Sequence, residues 1–111
     1  MKPNVLLIEE DDGFAHTLTT TLIREGYGIR WVRHVIAGLN EEVYNTIFID
    51  ETDQRKIKDL QILWPNANIV STAPDAVTDV KQKTFALPRP FPPEKLLVML
   101  EALSRENENR Q

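Results

Sequence analysis

Residues 47–53 read Ile47-Phe48-Ile49-Asp50-Glu51-Thr52-Asp53, IFIDETD, three apolar residues that run straight into an aspartate. A short, continuous apolar run is the mark of a strand covered on both faces, as in a parallel sheet with helices above and below. Such a strand has no structural use for a charge at its tip, because an unpaired carboxylate taken out of water is costly. Asp50 therefore reads as a group carried to the rim of a sheet, with its compensating partner to be found elsewhere in the chain.

The same signature recurs upstream, where Val5-Leu6-Leu7-Ile8 runs into Glu9-Glu10-Asp11-Asp12. Between these two strands, Ala15, Leu18, Leu22 and Ile23 form one helical stripe that begins near Phe14, and Gly26 is its C-terminal stop. Tyr27, Ile29 and Trp31 alternate as a second strand would, and Val35 to Val43 is a weak helix interrupted by Gly38. Downstream, Ile57, Leu60, Leu63 and Trp64 recur at helical spacing until Pro65, ahead of a strand at Ile69-Val70-Ser71. A thinly apolar helix over 75–83, a fifth strand from Phe85 to Leu87 and a last helix from Pro93 to about Leu103 complete the pattern. Residues 1–104 form one domain in this reading, and 105–111 a flexible tail or the start of a linker. Trp31 and Trp64 are expected in the core, and His16 and His34 at the surface.

Strands alternating with helices predict an α/β fold: a five-stranded parallel sheet, doubly wound, (βα)5, with right-handed crossovers and the flavodoxin-like order 2-1-3-4-5. In that order the first and third strands are neighbours, so two acidic strand ends share one rim. Like charges so close repel unless a cation intervenes, and a hard divalent ion with oxygen ligands, Mg2+, resolves the conflict.

Composition bounds the function. The 111 residues suit one domain, and 13 basic against 17 acidic side chains, a net charge of −4, argue against direct nucleic-acid binding. Without cysteine there is no disulfide framework, thiolate metal site or thiol nucleophile. The apolar run at the start is too short for a signal peptide or a membrane span, so a cytoplasmic protein with no membrane partner is expected.

Taken in order, these stretches resemble the receiver domains of two-component response regulators over residues 4 to about 103. VLLIEED is similar to the family's first strand and acidic pair, placed at Glu10 and Asp11; IFID matches the third strand, with the phosphoacceptor at Asp50. Ile69-Val70-Ser71-Thr72-Ala73 resembles the fourth strand with its hydroxyl residue at Thr72, and Arg89-Pro90-Phe91 stands where the family has lysine-proline-phenylalanine. The resemblance implies that Asp11, Asp50 and the backbone carbonyl of Thr52 hold Mg2+, with Glu10 reaching it through water. It further implies that Asp50 takes a phosphoryl group from a sensor histidine kinase, a phosphotransfer protein or a small donor.

Four departures from the family pattern bear on that expectation. The cation is Arg89, a planar fork donor able to clamp Asp50 bidentately in the phosphoryl position. The usual turn after the acceptor is missing, with only 21 residues between Asp50 and Thr72. The switch aromatic on the fifth strand falls on Ala86, with Phe85 on the other face. Pro88 removes a ladder donor next to the cation, and a cis Arg89-Pro90 bond would resemble the family.

Other readings compete. Asp11 or Asp12 is a natural cap for the first helix, and Glu51 and Asp53 read as solvated loop charges. A pseudo-receiver, phosphorylation-independent and kept for protein contacts, accounts for the departures. The last helix supports contact with a protein partner or a homodimer, since Leu96, Leu97, Val98, Met99, Leu100 and Leu103 cover more than one face. A small aspartate-nucleophile phosphatase is the remote alternative, weakened because Thr52 stands where its second aspartate is needed. Enzymatic turnover of an outside substrate is not expected.

Overall fold

The computed structural model describes residues 4–109. Five strands, β1 (Asn4–Ile8), β2 (Gly28–Val32), β3 (Thr46–Ile49), β4 (Asn68–Ser71) and β5 (Thr84–Ala86), form one parallel sheet in the order β2-β1-β3-β4-β5. Among the described residues three α-helices connect and cover it, α1 (Asp12–Arg24), α2 (Gln54–Leu63) and α3 (Pro93–Asn109). The expected five-stranded parallel sheet and its flavodoxin-like strand order are those observed.

Both faces of the sheet are apolar because its central strands are. Val5, Leu7, Phe48 and Val70 point to one face and pack with Leu18 and Leu22 of α1 and Leu96, Leu100 and Leu103 of α3. Leu6, Ile8, Ile47 and Ile69 point to the other, against Ile57 and Leu60 of α2 and the residues Leu39, Tyr44 and Trp64. Each such side chain, fully buried, stabilises the fold by roughly 1.5–3 kcal/mol before conformational entropy opposes it.

Helix ends follow local chemistry. The Asp11 carboxylate accepts the Phe14 N–H at 3.1 Å and starts α1. Gly26, at φ 86°, ends it: the Gly26 N–H donates to Ile23 O and the Tyr27 N–H to Leu22 O, both at 3.0 Å, a Schellman arrangement that a side chain at position 26 would strain.

Two expected helices are corrected. Over 35–43 there is only a 3-10 turn, Leu39–Glu41, because Gly38 at φ 83° breaks the right-handed path just before it. Over 75–83 there is a 3-10 turn at Val80–Gln82, followed by Lys83 at φ 55°. Val77 and Val80 are exposed, so that segment has no apolar stripe to dock. It folds back instead: Asp79 and Thr84 exchange backbone hydrogen bonds at 2.7 and 3.0 Å, and Thr78 Oγ1 accepts the Ala86 N–H at 3.0 Å. The outer edge of β5 is thereby blocked.

Three smaller expectations also change. Trp31 is 37% exposed, since it lies on the edge strand β2. Of the six apolar residues of α3, Leu96, Leu100 and Leu103 are buried, Leu97 and Met99 pack partly against the core, and Val98 is exposed. The apolar excess of that helix is thus largely absorbed within the domain. Its backbone stays helical to Asn109, beyond the expected boundary near Leu103, while residues 110 and 111 of the expected tail lie outside the described residues.

Candidate functional site at the carboxyl rim of the sheet

Register and alternation assemble the site. Ile8 pairs with Ile49, and Ile49 with Ser71, so the next residues, Glu9, Asp50 and Thr72, stand level at the carboxyl rim of three adjacent strands. Each is two residues past one that faces α1 and α3, namely Leu7, Phe48 and Val70, so the period-two alternation sends all three to that face. The ladder continues past the strand ends: Thr72 N–H donates to Ile49 O at 2.9 Å, Leu87 N–H to Ser71 O at 2.9 Å and Arg89 N–H to Thr72 O at 3.3 Å. This last bond brings Arg89 alongside the rim, where the following Arg89-Pro90 peptide is cis.

The Arg89 guanidinium is the centre of the cluster. Its Nη2 is hydrogen-bonded and ion-paired to Glu9 Oε1, donates to Thr72 Oγ1 at 3.2 Å, and lies 3.4 Å from Asp50 Oδ2. Its Nε donates to the Thr72 carbonyl at 3.3 Å. The expected bidentate clamp on Asp50 is therefore not formed; the fork is shared between Glu9 and Thr72, and Asp50 is reached by one nitrogen. Burial ranks the two ion pairs, because the Glu9 side chain is 5% exposed and that of Asp50 is 47% exposed. Breaking a buried pair costs about 3–5 kcal/mol, whereas an exposed pair contributes about 0.2–1 kcal/mol. Arg89 belongs to Glu9 first.

Glu9 is the residue that sequence reasoning missed. The acidic pair was expected at Glu10 and Asp11; the acid that the structure sets against Arg89 at the rim is Glu9. Glu9 is held at every polar group: its N–H donates to Val32 O at 3.0 Å, its carbonyl accepts the Trp31 indole N–H at 2.8 Å, and its Oε2 accepts the Asp11 N–H at 3.0 Å. Glu10 lies at the surface, 3.4 Å from His34, and Asp11 is committed to capping α1. Counting the alternation outward from Val5 and Leu7 would have found Glu9.

Beside the rim, the loop after β3 is braced by Glu51. Its Oε2 accepts the N–H groups of Thr52 and Asp53, each at 3.1 Å, and Lys56 lies 3.3 Å from its Oε1. The Asp53 N–H holds the Glu51 carboxyl below its ordinary value; partial burial opposes this, and Lys56 and the Thr52 N–H assist it. Glu51 is thus a loop brace instead of a solvated charge. Asp53 caps α2 by accepting the Arg55 N–H at 2.9 Å, and the Ser71 hydroxyl donates to Glu51 O at 2.6 Å.

The acids expected to hold Mg2+ each have a protein partner here. Among the described residues no group of three or more His, Cys, Asp or Glu side chains is placed to hold a metal ion. Asp11 Oδ1 caps α1, Glu10 lies 3.4 Å from His34, and the Arg89 guanidinium lies 3.4 Å from Asp50. Nor is an aromatic switch present on β5, where Ala86 occupies the expected position and Phe85 packs against the α1 and α3 core.

No protein-family profile matches the sequence, and no curated protein does. Solved structures do. A response regulator receiver domain protein (CheY-like) from Methanospirillum hungatei JF-1 superposes with a TM-score of 0.79 at 16% identity, covering 98% of this chain and 99% of that one. An orphan response regulator of H. pylori gives 0.74 at 13% identity, with 90% and 94% covered. A response regulator from Burkholderia pseudomallei, determined with a phosphorylated aspartic acid, calcium ion and citrate, gives 0.70 at 26% identity, covering 99% of this chain and 72% of that one. The five parallel strands in the order 2-1-3-4-5, with helices between them, agree with these likenesses: the chain has the fold of a response-regulator receiver domain.

Proposed function

We propose that the chain is a receiver-type signalling domain that works without phosphorylation, with Asp50 a relic of the acceptor and Arg89 its permanent countercharge. The observation that carries this reading is the Arg89 guanidinium bound to Glu9 and Thr72 and 3.4 Å from Asp50. In the receivers that the sequence resembles, the hydroxyl residue after the fourth strand answers the phosphoryl group. Here the Thr72 hydroxyl already accepts from an arginine, so the loop after β4 has its inward anchor without phosphate. The output is a protein contact, and the groove of about 550 Å³ between β5 and α3, edged by Phe85, Leu87, Val98 and Met99, supports it. No helix among the described residues is long and apolar enough to cross a membrane.

A working acceptor, served by a histidine kinase or phosphotransfer protein, is the second reading, favoured by the 47% exposure of the Asp50 side chain. Intact mass after incubation with a small phosphodonor and Mg2+ separates the two. The expected result is no gain in the wild type and a gain of one phosphoryl group in Arg89→Lys that vanishes in Asp50→Asn/Arg89→Lys. A gain in the wild type that vanishes in Asp50→Asn establishes the working acceptor.

A further inference from the structure

We infer that Phe14 is the positioning residue that keeps the Arg89 guanidinium on Glu9, Thr72 and Asp50. Arg89 Cζ lies 3.8 Å from the centroid of the Phe14 ring, so the guanidinium is packed on the aromatic face at van der Waals distance. Its polar partners hold one side of the group, and the ring holds its flat side. Electrostatics and dispersion favour that contact together, since the ring face is negative and the guanidinium is weakly hydrated and planar.

The ring is itself placed by two independent contacts. The Phe14 N–H is bonded to the Asp11 cap, which fixes where the first turn of α1 presents this side chain. The Phe91 ring meets it edge to face, with centroids 5.8 Å apart and planes at 86°. Phe91 follows Arg89 by two residues, so the segment that supplies the guanidinium also supplies the brace for its platform. Beside this stack a cavity of about 420 Å³ opens between α1 and α3, lined by Phe14, Leu18, Arg89, Phe91 and Leu96. Removing the ring enlarges that space, and a long arginine side chain then has somewhere to go. Phe14 thereby decides whether Arg89 stays on the acidic rim or leaves it.

This inference rests on the reading that Arg89 closes the site, but it is tested on the arginine itself. The full chain is treated with phenylglyoxal, and the modification rate at each arginine is followed by peptide mass mapping. Arg55 and Arg105, whose side chains are 94% and 69% exposed, are internal references. In the wild type, Arg89 is expected to react at least tenfold more slowly than Arg55. Phe14→Leu raises the Arg89 rate severalfold with the references unchanged, and Phe14→Tyr restores protection, which a role in general packing would not require. An Arg89 rate unchanged in Phe14→Leu overturns the proposal. Should Phe14→Leu unfold, shown by all arginines reacting alike, the wild-type NMR spectrum decides: Arg89 Hδ and Hε protons shifted upfield by the ring uphold the stack, and unshifted ones overturn it. Phosphorylation of wild-type Asp50 would end the closed-site reading while these rates still decide the role of Phe14.

Discussion

The two faces of the sheet are built to different standards. On one, α1 and α3 pack against β1, β3 and β4 and carry the Phe14–Arg89–Phe91 stack to the rim. On the other, α2 is the sole α-helix among the described residues, and a 3-10 turn with Leu39, Tyr44 and Trp64 fills the remaining space. Around that thinner face Val35, Ile36, Val43 and Ile62 are exposed. The difference teaches where this domain can change shape. Between β4 and β5 the described residues form no α-helix, only the 3-10 turn Val80–Gln82, and the loop after β4 is bonded to Arg89 through Thr72.

The largest effect expected from the comparison is in the cores. Phe48→Ala, in the face covered by two helices, is expected to lower stability by about 3–5 kcal/mol in urea unfolding, because that packing has little room to collapse. Leu39→Ala, under the 3-10 turn, is expected to cost about 2 kcal/mol, since irregular backbone relaxes into the space. Equal costs would break the claim that the faces differ in rigidity.

Next is the asymmetry between the two ion pairs of Arg89. Glu9→Ala is expected to lose about 3 kcal/mol, the low end for a broken buried pair because Arg89 retains some solvent and Thr72. Asp50→Ala is expected to stay within about 1 kcal/mol. A double-mutant cycle of each acid with Arg89→Ala should give the larger coupling for Glu9; the reverse order would make Asp50 the true partner.

The smallest expected effect is the acid response of the Glu51 brace. Its folded carboxyl sits below the ordinary value of 4.5, so the stabilisation is present in full above 4.5 and is lost as pH falls through the lowered folded value. Glu51→Gln should flatten that part of the stability–pH curve without changing the curve near neutrality in shape. An unchanged acid limb would remove Glu51 from the account of the loop.

Much of this was legible in the sequence because strands buried on both faces announce themselves as apolar runs, while the edge strand β2 was found by its alternation. Asp50 was singled out as a charge at a strand tip, and Thr72 and Arg89 through the family resemblance; the structure brings the three together. What failed has physical causes. Helices read over 35–43 and 75–83 rested on sparse apolar residues, and the left-handed Gly38 and Lys83 together with the Asp79–Thr84 bridge outweighed propensity. The acids were taken from family spacing instead of from alternation, which passed over Glu9 at the rim, whereas the helix cap at Asp11 was among the readings offered. Phe14 gave no signal, because an aromatic in an apolar helical stripe looks like core.

The Trp31 indole bonded to the Glu9 carbonyl has a practical consequence. The chain contains two tryptophans, and the other, Trp64, is 5% exposed in the opposite face with its N–H bonded to Glu42 O. Emission that acrylamide or iodide can quench therefore comes from Trp31, one backbone bond from the rim. The protein carries its own optical gauge, so fluorescence of the unlabelled chain reports any displacement of Glu9 and Arg89 in real time.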